Sequence, residues 1–200
     1  PTQTTTYTLT AQTGDCEVIT KTITITVDPV SVNTFSADTT NITSGDPVTL
    51  TWSLTRYTAS LHKLVLEPLG TTVTGTNTTV HPTVTTTYRL RIDDNHGRTL
   101  ARGPQVTVTA NAAPAIESFT VNPQLVCGVN DVTLTWATAN ATALQLNGQT
   151  LTPINNGSTT RTITGTTTFT LAAFNAAGGS VTESHTITYV DPLQASLNSD

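Results

Sequence analysis

The sequence has no methionine, two cysteines, two lysines (Lys21 and Lys63) and only 10% charged residues over 200 positions. Each shortage excludes something. With a net charge of −5 and so little basic charge, no cationic stripe is available to follow a phosphate backbone or an anionic bilayer. Neither nucleic acid nor a membrane surface is therefore an expected partner. No apolar run approaches the roughly 20 residues that span a bilayer, so membrane insertion is not expected either. The chain starts without Met and without a signal peptide, and reads as a mature or cropped piece of something longer. Aromatic residues make up 5% and hydrophobic residues 36%, enough for small cores only.

Threonine is plentiful, at 50 of the 200 positions. Its branched Cβ favours strands, and its hydroxyl keeps a solvated face polar without charge. A chain made soluble in this way is expected to be a β protein.

The dominant signal is an internal repeat. Tyr7, Tyr88 and Phe169 each follow three threonines, at spacings of 81 and 81. The phrase "VTLTW" ends at Trp52 and again at Trp136, 84 apart, and "VDP" at Val27–Pro29 returns at Val190–Pro192. The boundaries that follow are 29–110 and 111–190 for two complete copies. Residues 1–28 match only the last two strands of a copy, and 191–200 resemble the start of one. The joints "VDPV" and "ANAAP" are very short and carry Pro, which restricts its own φ and that of the residue before it. Such joints favour a semi-stiff string of domains.

Within a copy the period is two. In "VTLTWSL" the inward set is Val48, Leu50, Trp52 and Leu54. In "TYRLRID" it is Tyr88, Leu90 and Ile92, with Arg89 and Arg91 facing water. Val106 and Val108 continue it on the last strand, and Val132, Leu134, Trp136, Phe169, Leu171, Ile187 and Tyr189 repeat it in the second copy. Alternation with polar outer faces indicates antiparallel sheets wet on one side. Turn signals fall at 43–46, 67–70, 94–97, 128–131, 146–149 and 175–179. About seven short strands in some 80 residues predict a two-sheet sandwich.

The run "SFTVNP…DVTLTWATANAT…LNG…TTTFTLAAFNAAGG" resembles the immunoglobulin-like repeats found in tandem in secreted and surface proteins of bacteria and some archaea. The Trp of the second strand and the Pro-x-x-Thr-Thr-Thr-Tyr lead into the sixth are also similar to fibronectin type III modules. The resemblance covers essentially the whole chain and implies an all-β fold: tandem Ig-like antiparallel sandwiches in a linear array. It implies a non-catalytic stalk, fibre or adhesin segment at a cell surface or outside the cell, without cofactor. Expected partners are neighbouring Ig-like domains or subunits of the same protein, and a cell-surface protein or glycan. Two rivals stand beside this reading, because the fold serves many ends. One is an accessory carbohydrate-binding module of a secreted enzyme, which needs an exposed aromatic platform. The other is a decoration domain of a phage tail or capsid.

Candidate chemistry is sparse. Asp93, Asp94 and Asn95 could offer oxygen ligands to a hard cation such as Ca²⁺, but Asp and Asn are also ordinary turn formers. The histidines (His62, His81, His96, His185) have no metal-ligand spacing, and His62 shares a face with Leu64 and Leu66, which reads as a buried, satisfied His. No Ser/His/Asp set, carboxylate pair or phosphate loop is spaced for catalysis. Asn41, Asn77, Asn140 and Asn156 head Asn-x-Ser/Thr sequons, candidate glycosylation sites, though roughly four are expected by chance at this composition. In an Ig-like array, the resemblance implies that Cys16, in a last hairpin, and Cys127, between the first two strands, lie at opposite poles of their domains. They are disulfide candidates across a joint. The alternatives are two free thiols, or a Cys127 that fills a small apolar hole.

Overall fold

The computed structural model describes residues 3–12, 14 and 18–192. A hairpin comes first, β1 (Thr5–Gln12) and β2 (Val18–Ile25). The first repeat supplies β3 (Ser31–Ala37), β4 (Asn41–Thr43), β5 (Val48–Thr55), β6 (His62–Glu67), β7 (Thr71–Val73), β8 (Asn77–Val80), β9 (Thr86–Asp94) and β10 (Thr99–Asn111). The second supplies β11 (Ala115–Asn122), β12 (Leu125–Cys127), β13 (Asn130–Ala139), β14 (Ala143–Leu146), β15 (Gln149–Thr150), β16 (Asn156–Ile163), β17 (Thr167–Phe174) and β18 (Ser180–Val190). By contacts the chain forms two compact units. One holds Pro1–Asp38, Thr49–Thr79 and Thr87–Val106; the other holds Thr39–Val48, Val80–Thr86 and Thr107–Asp200.

The two repeats build matching sheets. A three-stranded sheet runs β3-β5-β8 in the first and β11-β13-β16 in the second. A five-stranded sheet runs β4-β10-β9-β6-β7 and β12-β18-β17-β14-β15. Even the irregularity repeats: the register slips between Val32 and Thr34 opposite β5, and between Ile116 and Ser118 opposite β13. Each repeat thus has eight strands where about seven were expected, the surplus being strands of two to four residues, too short to show a period.

Alternation sets the cores. In the first unit Leu50, Trp52, Leu64, Tyr88, Leu90 and Ile92 are buried. In the second, Val132, Leu134, Trp136, Phe169, Leu171 and Ile187 belong to one continuous apolar cluster. Both indoles are nearly enclosed, Trp52 at 4% and Trp136 at 3% exposure, and each N–H is satisfied by a carbonyl, of Gly75 and Pro153 respectively, at 3.0 Å. A buried Trp needs such an acceptor, since the ring is apolar but its N–H is not.

Two expectations are corrected. The sheets are not purely antiparallel: β4 pairs in parallel with β10, and β12 with β18. The chain leaves the three-stranded sheet after β3 or β11 and continues without reversing along the edge of the other sheet, which fixes its direction. Nor do Arg89 and Arg91 stand in open water, since both are half-buried. Arg91 donates to Asp93 at 3.0 Å through Nε and to Glu67 at 3.0 Å through Nη1, and these carboxylates, Asp93 foremost, push its pKa up.

The hairpin differs from everything else. Its strands pair with Tyr7 opposite Ile23, Leu9 opposite Lys21 and Ala11 opposite Ile19. One face is therefore apolar, and the other is a threonine ladder in which Thr6 and Thr24 share a hydrogen bond at 2.9 Å. Tyr7, Leu9, Ile19, Ile23 and Ile25 are all exposed.

Candidate joint and interaction surfaces

The second repeat meets the first through polar side chains that all belong to the second compact unit. Asn175 opens the β17–β18 turn and is only 5% exposed. Its Oδ1 accepts the backbone N–H groups of Ala177 at 3.0 Å and Gly179 at 2.8 Å, which closes the turn. Its Nδ2 then has two donors to spend outside the turn, and they go to the Thr43 hydroxyl at 3.1 Å and the Ala112 carbonyl at 3.0 Å. From the other side, Asn41 of β4 donates to the Ala176 carbonyl at 2.9 Å. Asn111 steadies Asn41 by donating to its Oδ1 at 2.7 Å. Gly179 is required for this approach, because a Cβ there would collide with the Thr43 hydroxyl. A buried amide with every hydrogen-bonding group engaged holds one geometry, since leaving any of them unpaired is costly.

The first repeat has the same turn with different chemistry. Asp94 stands where Asn175 stands: its Oδ1 accepts the N–H groups of His96 at 2.9 Å and Arg98 at 2.8 Å. Gly97 and Gly178 take matching left-handed φ values of 81° and 86°. The backbone N–H of Arg98 is the main cause that holds the Asp94 carboxyl below its ordinary range. A second repeated device sits at the end of β5 and β13, where Arg56 and Asn140 adopt left-handed φ values of 58° and 57°. Each reaches back to the preceding linker. Arg56 pairs with Asp28 at 2.9 Å, and Asn140 donates to the Ala113 carbonyl at 3.2 Å. A cleft beside the Arg56–Asp28 pair is lined by Val27, Pro29, His62, Arg98 and Leu100. Its two guanidinium groups already face Asp28 and Asp94.

The residues singled out in the sequence fall as follows. Asp93 is not in the turn but at the end of β9, 5% exposed and paired with Arg91 at 2.8 Å. Asp94 serves the turn, and Asn95 donates to the Ser60 carbonyl at 2.9 Å. Among the described residues no group of three His, Cys, Asp or Glu side chains could hold a metal ion. His62 is half-buried rather than buried, and its Nδ1 accepts the Thr58 N–H at 3.1 Å. Of the sequon asparagines, Asn41 and Asn140 are engaged at the joints, whereas Asn77 and Asn156 begin β8 and β16 and are exposed. Cys127 ends the short strand β12 and is an exposed free thiol. Cys16 lies outside the described residues. Sequence reasoning missed Asn175, Thr43 and Arg56; only the alignment of one repeat on the other, Asn175 over Asp94, carried a trace of them.

No protein-family model matches the chain. An uncharacterized protein of Ruminiclostridium cellulolyticum is 34% identical over 142 residues, which cover 70% of this chain and 38% of that protein. The chain therefore spans well under half of that relative. Among solved structures, the N-terminal eight Ig domains of Down Syndrome Cell Adhesion Molecule are similar with a TM-score of 0.57 at 14% identity, over 94% of this chain and 27% of that one. The immunoglobulin domains 1–4 of Sidekick-1 give 0.46 at 12% identity, over 94% of this chain and 58% of theirs. At 14% identity the likeness to the Down Syndrome Cell Adhesion Molecule domains speaks of fold alone. The chain is an all-β protein of Ig-like sandwich architecture.

Proposed function

We propose that the chain is a non-catalytic structural segment, a stalk, fibre or adhesin shaft of Ig-like repeats in an extracellular or cell-surface protein. Repeats at 29–110 and 111–190 are its modules, and 1–28 supplies the last two strands of another. The observation that carries this is the joint: Asn175 and Asn41 bind one repeat to the next through interlocking hydrogen bonds, where a flexible tether would leave them solvated. The hairpin reading is supported by register, since Thr5↔Ile25 and Gln12↔Val18 reappear as Thr167↔Ile187 and Phe174↔Ser180, each shifted by 162 positions. The partners of such a segment are neighbouring Ig-like domains, with a surface protein or glycan at whatever tip the assembly bears. The carbohydrate-binding rival is disfavoured, because among the described residues Tyr7 is the lone exposed aromatic side chain and no platform accompanies it.

Small-angle scattering of the chain in reducing buffer tests this. Strands of this length and joints this short give an expected advance of roughly 35–45 Å per repeat. An elongated particle agrees; a compact one, with the two repeats side by side, sinks the stalk reading.

A further inference from the structure

Strand β16 lies at the open edge of the second repeat's three-stranded sheet, β11-β13-β16. Its pairing with β13 decides which of its backbone groups are spent. The Thr138 N–H donates to the Asn155 carbonyl at 2.7 Å, and the register runs on from Ala137↔Asn156 to Asn130↔Ile163. Bonded pairs alternate along an antiparallel ladder, so Gly157, Thr159, Arg161 and Ile163 turn their N–H and C=O groups to β13. Asn156, Ser158, Thr160 and Thr162 turn theirs away from it, and no strand among the described residues lies on that side. The placement of Arg161 agrees: its Nη1 donates to the Thr160 carbonyl at 3.0 Å, one of those left over.

An open sheet edge is a template for pairing, and proteins commonly guard it. The other edge strands of the two repeats are guarded. β3 and β11 carry a register slip, and β8 is four residues long and runs into His81-Pro82. β4, β7, β12 and β15 have two or three residues each. β16 has eight residues without slip, proline or lysine, and Arg161 is its one charge.

We propose that the β16 edge is a docking site for β16 of a second copy of this chain. The two strands pair antiparallel across a two-fold axis and join two three-stranded sheets into one of six. The occupant follows from self-complementarity, which a two-fold contact demands. One register engages all four outward residues, with Thr159 on the axis, Ser158 opposite Thr160 and Asn156 opposite Thr162. In it each outward residue of either copy gives one hydrogen bond and takes one, eight in all. The same register sets Arg161 across from Gly157, where no side chain meets it. The two Arg161 residues stay four positions, about 13 Å, apart along the strands, beyond the screening length of about 8 Å. The cross-strand neighbours Ser158 and Thr160 make a favourable hydroxyl pair. Seven paired residues form a small contact beside the roughly 1,200 Å² of a stable interface, so one contact is weak and gains strength where several repeats meet side by side.

Sedimentation velocity of the 200-residue chain in reductant, at concentrations rising to the millimolar range, tests this. The expected result is a monomer–dimer equilibrium in which amide exchange slows at Ser158, Thr160 and Thr162. Ser158→Pro removes a donor that β13 does not use, and should weaken the dimer at least tenfold. Two double variants read the register on an exposed face. Ser158→Lys with Thr160→Lys sets like charges opposite each other and should weaken association severalfold, whereas Ser158→Lys with Thr160→Glu sets opposite charges there and should preserve it. Ile23→Arg, on the exposed face of the hairpin, should leave the equilibrium unchanged. A chain that stays monomeric throughout overturns the proposal. Association that the double-lysine variant leaves intact, or that Ile23→Arg abolishes, overturns it equally.

Discussion

Individual side chains in this fold act through what they leave room for and what they satisfy. Trp136 lies opposite Gly157, and a Cβ on that glycine would stand 2.5 Å from the indole. Gly157→Ala should therefore destabilise the second repeat by about 1–3 kcal/mol, the usual cost of forcing a packed core apart. Trp136→Ala and Trp52→Ala should each cost more, about 3–5 kcal/mol, because they open a cavity and strand a carbonyl. Urea titrations followed by far-UV dichroism check both, and a Gly157→Ala variant as stable as the parent would mean that the ring is free to move. Asp94 gives a pH signature. Its folded carboxyl is held below the ordinary value by the Arg98 N–H, then the His96 N–H and the nearby Arg98 and His96 charges. A lowered folded pKa contributes stability above the unfolded pKa of about 4 and loses it as pH falls through the folded value. Asp94→Asn keeps an acceptor, as Asn175 does, but cannot titrate. The difference in melting temperature between parent and variant should be constant from pH 7 to 5 and shrink below pH 4; a difference that does not change with pH removes the charge from the account.

At the scale of the element, the turn β17–β18 combines two roles that one substitution can separate. Asn175→Ala removes the acceptor of the Ala177 and Gly179 N–H groups and the donors to Thr43 and Ala112 together, which should cost about 1–3 kcal/mol. Asn175→Asp keeps the acceptor, in the form Asp94 uses, and loses only the donors across the joint. A carboxylate oxygen then faces the Ala112 carbonyl in a buried site, so the second repeat should melt below the parent, and hydrogen exchange should rise at 41–43 and 111–113. Equal exchange in parent and Asp variant would deny the joint its stiffness. Much of the architecture was legible in the sequence, because period-two burial reports on backbone geometry residue by residue: Val48, Leu50, Trp52, Tyr88, Leu90 and Ile92 all point inward as the alternation requires. The joint was not legible, since the Asn175–Thr43 bond spans 132 positions and leaves no local mark, so that Asn175 reads as a turn residue and Asn41 as a sequon. Strands β4 and β12 are three residues each, below the length at which alternation can be seen. Asp93 escaped for another reason: alternation gives the face of a residue but not what covers it, and Arg91 covers Asp93.

For the molecule as a whole, the hairpin and the repeats should differ sharply in stability. Both repeats bury apolar side chains, in the second as one continuous cluster, whereas every described residue of β1 and β2 but Thr5 is exposed. A two-stranded sheet with no buried face is marginal in water, and each large aliphatic or aromatic side chain left wet forgoes about 1.5–3 kcal/mol. In the reduced monomer, the amides of β1 and β2 should therefore exchange with an opening free energy near zero, far faster than those of β9, β13 and β17, which open only with their repeat. Mass spectrometry of exchange at the peptide level measures this. The contrast should narrow on addition of whatever domain or copy covers Tyr7, Leu9, Ile19, Ile23 and Ile25, because burying that face converts the hairpin into part of a core. Slow exchange in β1 and β2 of the dilute, reduced monomer would show that the face is already covered, and would reassign the hairpin from a piece awaiting its sandwich to a self-sufficient element.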